Sequence, residues 1–233
     1  MKSQGASGII TISVLAITLL NTCLCVIGEV SASDEAMIFR LLAVEGIDPE
    51  EPSVSGQWLI KTLLRYENWN NETGEYVSYI HLLTEFSRDE VITECEPFWR
   101  GNSTKTDIQN EIVNFLGKSG PNEIVIFYYH GHGMNNTICP DLQNLTAAEL
   151  NSWLESVHEE AYLCVILDAC HSGSWINDEM GSAFAQGKIT LSSCRSDQLS
   201  RSIGSRAWFT GFERIRYENF SDLPLGLIGG SLP

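Results

Sequence analysis

At 233 residues, 43% of them hydrophobic, the chain has enough apolar material for one sizeable core and too little length for two large domains. Lys plus Arg total 14 against 30 for Asp plus Glu, a formal charge of -16 that no basic stretch interrupts. Such a surface repels phosphate backbones, which excludes nucleic acid as a partner class, while it attracts cationic substrates only in the general way of any acidic soluble surface.

The N-terminal stretch differs in composition from the rest. Lys2 precedes an apolar run from Ile9 to Ile27, and Val30-Ser31-Ala32 supplies the small residues of a signal-peptidase site, so residues 1–32 read as an export signal. The run is also near bilayer-spanning length, so an uncleaved N-terminal membrane anchor is the alternative, and either places the remainder outside the cytoplasm. Asn71-Glu-Thr, Asn102-Ser-Thr, Asn135-Asn-Thr, Asn144-Leu-Thr and Asn219-Phe-Ser fit the N-glycosylation pattern and agree with export. Cys23 and Cys25 fall in the leader. Cys95, Cys139, Cys164, Cys170 and Cys194 remain, an odd set that suggests a free thiol rather than a disulfide scaffold.

Residues 33–56 read as an acidic lead-in, and 57–233 as the domain. Along it, a strand is predicted near Gln57 to Leu64, a helix over Tyr76 to Phe86 from the spacing of Tyr79, Ile80, Leu83 and Phe86, and a strand near Val91 to Cys95. A helix follows over Thr106 to Gly117, with Thr106 and Gln109 as its capping box, then a strand over Glu123 to Tyr129. Thr146 and Glu149 repeat the box before a third helix carrying Leu150, Trp153, Leu154 and Val157, and strands near Tyr162 to Leu167 and Lys188 to Ser193 close the series. Strands alternating with helices imply a three-layer α/β/α sandwich around a mostly parallel sheet, whose strands share one carboxyl edge.

Two apolar strands run into polar, glycine-containing segments: Tyr129-His130-Gly131-His132-Gly133 and Asp168-Ala169-Cys170-His171-Ser172-Gly173. Catalytic groups of open α/β sheets gather at the carboxyl edge. If the two strands are neighbours, the thiol of Cys170 and the imidazole of His132 meet there, which is what cysteine nucleophilic catalysis requires. The Gly133 and Cys170 backbone N–H groups are then placed to form an oxyanion hole. His130 and His171 are expected to shape the segments, His81 and His158 to lie on helix surfaces, and Trp175, Trp208 and Phe209 to line a cleft or fill the core. Zinc held by His130, His132, Cys139 and Cys170 is a rival, at a spacing that matches no compact zinc pattern.

At these residues the sequence resembles the caspase, metacaspase and legumain group of cysteine peptidases. Tyr-His-Gly-His-Gly at 129–133 and Asp-Ala-Cys-His-Ser-Gly at 168–173 are similar to metacaspase motifs, and Ser193-Cys-Arg-Ser-Asp-Gln198 resembles the segment that follows their next strand. The resemblance runs from about Gln57 to Phe212. It implies a caspase-like fold and an endopeptidase that cleaves peptide or protein substrates through a thioester, with His132 and Cys170 catalytic and Gly133 an oxyanion donor. It also implies that Asp168 lines the pocket for the residue before the scissile bond (P1), giving cleavage after Arg or Lys, with Asp197 as a second wall. No organic cofactor or metal is required. His132 and Cys170 stand 38 positions apart, which leaves a reduced insert, nearer the legumain arrangement, and lends calcium activation no support. The stretch from Ser174 to Gly187 is too short for obligatory two-chain maturation. The small-subunit portion is expected to be incomplete or its pocket abbreviated, because Leu225 to Pro233 carries no further element. A catalytically silent binding module and a legumain-like transpeptidase are the alternatives, and the oligomeric state is left open.

Overall fold

Apolar runs without polar alternation need cover on both faces, and three such runs form the middle of the sheet. In the computed structural model, residues 37–46, 54–70, 76–141, 143–175 and 188–200 are described, all within one compact unit, Asp34–Gly204. The leader, the sequons at Asn71 and Asn219, Trp208, Phe209, most of the 174–187 stretch and the C-terminal segment lie outside the described residues. In chain order the elements are β1 (Met37–Glu45), α1 (Ser55–Asn70), β2 (Tyr76–Leu83), β3 (Trp99–Gly101), α2 (Lys105–Asn114), β4 (Ile124–Met134), β5 (Thr137–Cys139), β6 (Leu145–Thr146), α3 (Ala147–Leu154), β7 (Tyr162–Ala169) and β8 (Lys188–Ser192).

The parallel strands run in the order β3-β2-β1-β4-β7-β8, and β5 and β6 extend β4 by antiparallel pairing. Chain order reverses between β1 and β4, the switch point where open sheets of this kind gather their ligands. Side chains alternate across the sheet. Leu41, Ala43, Ile80, Leu82 and Tyr128 face α1 and its buried Ile60, while Leu42, Val44, Phe127, Val165 and Leu167 pack with Ile108 and Ile112 of α2 and Leu150 and Leu154 of α3. Helices therefore cover both faces, giving the expected α/β/α sandwich.

Several element assignments differ from the sequence reading. Gln57 to Leu64 is not a strand but part of α1. Its apolar residues Leu59, Ile60, Leu63 and Leu64 have helical spacing, and the Glu45 carboxyl oxygen accepts the Gln57 backbone N–H at 3.0 Å, satisfying one of the N–H groups that a helix start leaves unpaired. Tyr76 to Leu83 is strand β2 instead of a helix. Its aromatic and β-branched residues suit a pleated surface, and Ile80 and Leu82 point to one face while His81 and Leu83 point to the other. The supposed lead-in over 33–56 supplies β1, which pairs with both β2 and β4.

Val91 to Cys95 forms turns before a 3₁₀ turn at Glu96–Phe98, and the Gln57 side chain accepts the Ile92 N–H at 2.7 Å in place of a ladder partner. Helix α2 is capped by Thr104, whose hydroxyl accepts the Asp107 N–H at 3.1 Å, two residues before the expected start. The Thr146–Glu149 capping box is present as expected, β7 and β8 match the expected ranges closely, and β4 begins as expected but continues past Tyr129 to Met134. His81 is on β2, stacked on Phe115 at 3.6 Å with its Nδ1 donating to Glu111. Trp175 is fully buried in the core. Among the described residues no helix is long and apolar enough to cross a membrane.

Candidate active site

Strands β4 and β7 run in register from the pair Ile124 and Tyr162 to the pair Gly131 and Ala169. One residue further along each stand His132 and Cys170, so the structure brings both to the same rim. The contact is close. A Cβ built on Gly133 would lie 2.4 Å from the Cys170 carbonyl oxygen, 2.9 Å from the Ala169 Cβ and 3.4 Å from the Cys170 nitrogen, so the Gly133 backbone rests directly against that of the nucleophile candidate.

His132 is carried by the strand itself rather than by a loop. β4 continues to Met134 and forms a hairpin with β5 in which His132 pairs with Cys139, leaving the imidazole exposed on the rim. Gly131 makes this possible with φ 155, and a Cβ there would sit 2.5 Å from the Tyr129 hydroxyl. That buried hydroxyl donates to the His132 carbonyl at 2.9 Å and ties the end of the strand down.

Cys170 is followed by a sharp turn, with His171 at φ 57 in the left-handed region. Its backbone N–H donates to the Gln198 carbonyl and its Nδ1 to the Ser196 carbonyl, both at 2.8 Å. The Cys170 thiol donates to the Ser200 carbonyl at 3.6 Å. The 194–200 segment thus lies against Cys170 and His171 along one side of the rim.

The two acidic pocket candidates have different surroundings. Asp168 is buried at 7% exposure, its Oδ2 accepting from His130 Nδ1 at 3.0 Å and its Oδ1 from the Ser200 hydroxyl at 3.1 Å. Asp197 is exposed, lies 3.3 Å from the Arg195 guanidinium, and lines an open depression with Asn135, Asn136, His171, Ser174 and Ser196. An ion pair so exposed leaves Asp197 available to other cations.

Glu45, which sequence reasoning missed, completes the site from below. It ends β1 in register with His130, is 1% exposed, and accepts from the Gln57 backbone and side-chain N–H groups at 3.0 Å each. Burial pushes its carboxyl from 4.5 up to about 7 against the opposing pull of those hydrogen bonds. A carboxyl raised in this way holds a proton that the unfolded chain has released, so its contribution to stability falls as pH rises from 4.5 to about 7. The unfolding free energy of wild type relative to Glu45→Gln, measured by urea titration across that window, is therefore expected to decline by about 3 kcal/mol. A difference that stays level would show that Glu45 is ionised throughout. Among the described residues no group of three or more His, Cys, Asp or Glu is arranged to hold a metal ion.

A histidine and a cysteine thus follow the matched ends of two adjacent parallel strands at the carboxyl rim of a three-layer sandwich, the pair of residue types that cysteine nucleophilic catalysis employs. Residues 85–198, just under half of the chain, are similar to the Peptidase C13 family, a likeness that supports a caspase-like cysteine peptidase superfamily without singling out the metacaspases. A cysteine peptidase-type function in general goes with that match. No curated protein sequence matches the chain. Among solved structures, protein GSU0716 from Geobacter sulfurreducens, a structural-genomics target, is similar at 14% identity with a TM-score of 0.36, over 78% of this chain and 66% of that one.

Proposed function

We propose that the chain is an endopeptidase that cleaves after basic residues through a Cys170–His132 dyad. In this reading His132 takes the Cys170 thiol proton, and the thiolate attacks the scissile carbonyl. The resulting oxyanion is held by the Gly133 and Cys170 N–H groups, and the C–N bond breaks as His132 returns the proton to the leaving amine. Water, deprotonated by the same imidazole, then hydrolyses the thioester to release the acid and restore the thiol. The observation that supports this most strongly is the close packing of the Gly133 backbone on Cys170 at the matched ends of β4 and β7. The basic P1 preference draws on two carboxylates at one rim, Asp168 and Asp197.

The engagement of both Asp168 oxygens favours a second reading, in which the pocket takes an uncharged P1 side chain such as Asn. Fluorogenic peptides ending in Arg, Lys, Asn and Asp, assayed at neutral pH, separate the two. The Arg and Lys peptides are expected to turn over fastest, whereas fastest turnover of the Asn peptide would establish the second reading and of the Asp peptide would refute both.

A further inference from the structure

Glu45, His130 and Asp168 are register-matched on three adjacent strands, and parallel pairing puts all three side chains on one face of the sheet. They form a carboxylate, imidazole, carboxylate row one pleat below His132, with exposures of 1%, 9% and 7%. The chain is clipped around it: the Gly46 N–H donates to the His130 carbonyl at 2.7 Å, and His130 Nδ1 donates to Asp168 at 3.0 Å. The titratable groups facing His130 are Glu45 from β1, Asp168 from β7, and Tyr128 and His132 two residues to either side on β4. Gln57 of α1, Thr84 after β2 and Ser200 add uncharged hydrogen-bonding groups, the first two at Glu45 and the third at Asp168.

We infer that His130 is a specificity-determining residue, which fixes whether Asp168 acts on the P1 side chain as a net negative charge or as one half of a neutral ion pair. The inference rests on the peptidase reading above. With a neutral imidazole, Asp168 keeps its charge while accepting hydrogen bonds from His130 and Ser200, and a basic P1 residue is attracted. With a protonated imidazole the buried pair carries no net charge, and that attraction is lost. Burial makes the difference larger than at the surface, because fewer waters screen it. Glu45 does not offset the effect under acid conditions, since burial keeps its carboxyl protonated below about 7. Histidine is the side chain that changes charge between about pH 5 and pH 8, so the selectivity depends on pH within that range.

The test is the ratio of kcat/KM for an Arg-terminated peptide to that for an Asn-terminated one, measured on the full chain between about pH 5 and pH 8. Ionisation of the dyad affects both substrates alike and cancels in the ratio. Because burial raises the Glu45 carboxyl to about 7, inside the same window, the ratio is read in Glu45→Gln, where it is expected to rise about tenfold or more with pH, and in Glu45→Gln/His130→Gln, which retains an N–H donor toward Asp168, where it is expected to stay level. A level ratio in Glu45→Gln, or an equal rise in the double variant, overturns the inference. The pairing also has a readout independent of catalysis, the NMR resonance of the His130 Nδ1–H proton in wild type and in Asp168→Asn. Replacing the carboxylate acceptor is expected to move that resonance upfield, and an unchanged resonance overturns the inference even if neither peptide is cleaved. Absence of any turnover alongside the expected NMR shift would instead mark failure of the peptidase reading alone.

Discussion

Cys170→Ala is expected to lower kcat/KM on the best peptide substrate by about 10⁴-fold or more, the scale on which nucleophile removal acts in covalent peptidases. The effect would be chemical, since the substitution removes from the fold only a long 3.6 Å hydrogen bond to the Ser200 carbonyl among the thiol's described hydrogen bonds, and alanine keeps the backbone N–H assigned to the oxyanion hole. His132→Ala is expected to cost a similar factor. The double variant should cost little more, because nucleophile and base act as a unit and their losses are not additive. Fluorogenic hydrolysis, with mass spectrometry after iodoacetamide treatment to follow Cys170 alkylation, checks this. Retention of activity within about tenfold in Cys170→Ala would remove the sulfur from the mechanism.

The rim was legible in the sequence for a physical reason. Ile124 to Tyr129 and Tyr162 to Leu167 are apolar on both faces and end in polar residues with glycine, a pattern that only a central strand emerging at a sheet edge accommodates. Their adjacency could be assumed but not read, because strand order depends on which crossovers pack. β1 is the instructive miss. Met37 to Glu45 carries a charged residue at each of two buried positions, Arg40 and Glu45, and so looked like part of an acidic lead-in. Arg40 is tolerated because its guanidinium lies 3.0 Å from the Glu123 carboxylate and over the Phe115 ring, and Glu45 because Gln57 meets it from α1. None of these partners is near in sequence. The same blindness hid the row of Glu45, His130 and Asp168, which only the register of β1, β4 and β7 reveals. The exchange of helix and strand between Gln57 to Leu64 and Tyr76 to Leu83 has a different origin. Both are short apolar runs in which adjacent large residues satisfy either period, and the decision falls to tertiary packing.

Gly133→Ala is expected to reduce kcat by about 10²- to 10³-fold with a smaller change in KM, although it adds a single methyl group. That methyl would arrive 2.4 Å from the Cys170 carbonyl oxygen and 2.9 Å from the Ala169 Cβ, distances at which something must move. Neither obstacle is the far end of a flexible side chain, so the displacement falls on the backbone that carries Cys170 and, in the proposed mechanism, one oxyanion N–H, the other being that of residue 133. A misplacement of about 1 Å at reacting groups costs about 10²-fold, and overpacking costs about 1–3 kcal/mol in stability. Activity should thus fall much further than folding does. Kinetics run well below the melting temperature, beside a thermal melt of the same sample, separate the two effects. The alkylation rate of Cys170 supplies a third measure, expected to change less than kcat because attack on iodoacetamide needs no oxyanion hole. Wild-type kcat in Gly133→Ala would mean that the rim yields freely at this point, and that close packing of Gly133 on Cys170 is not what organises the chemistry.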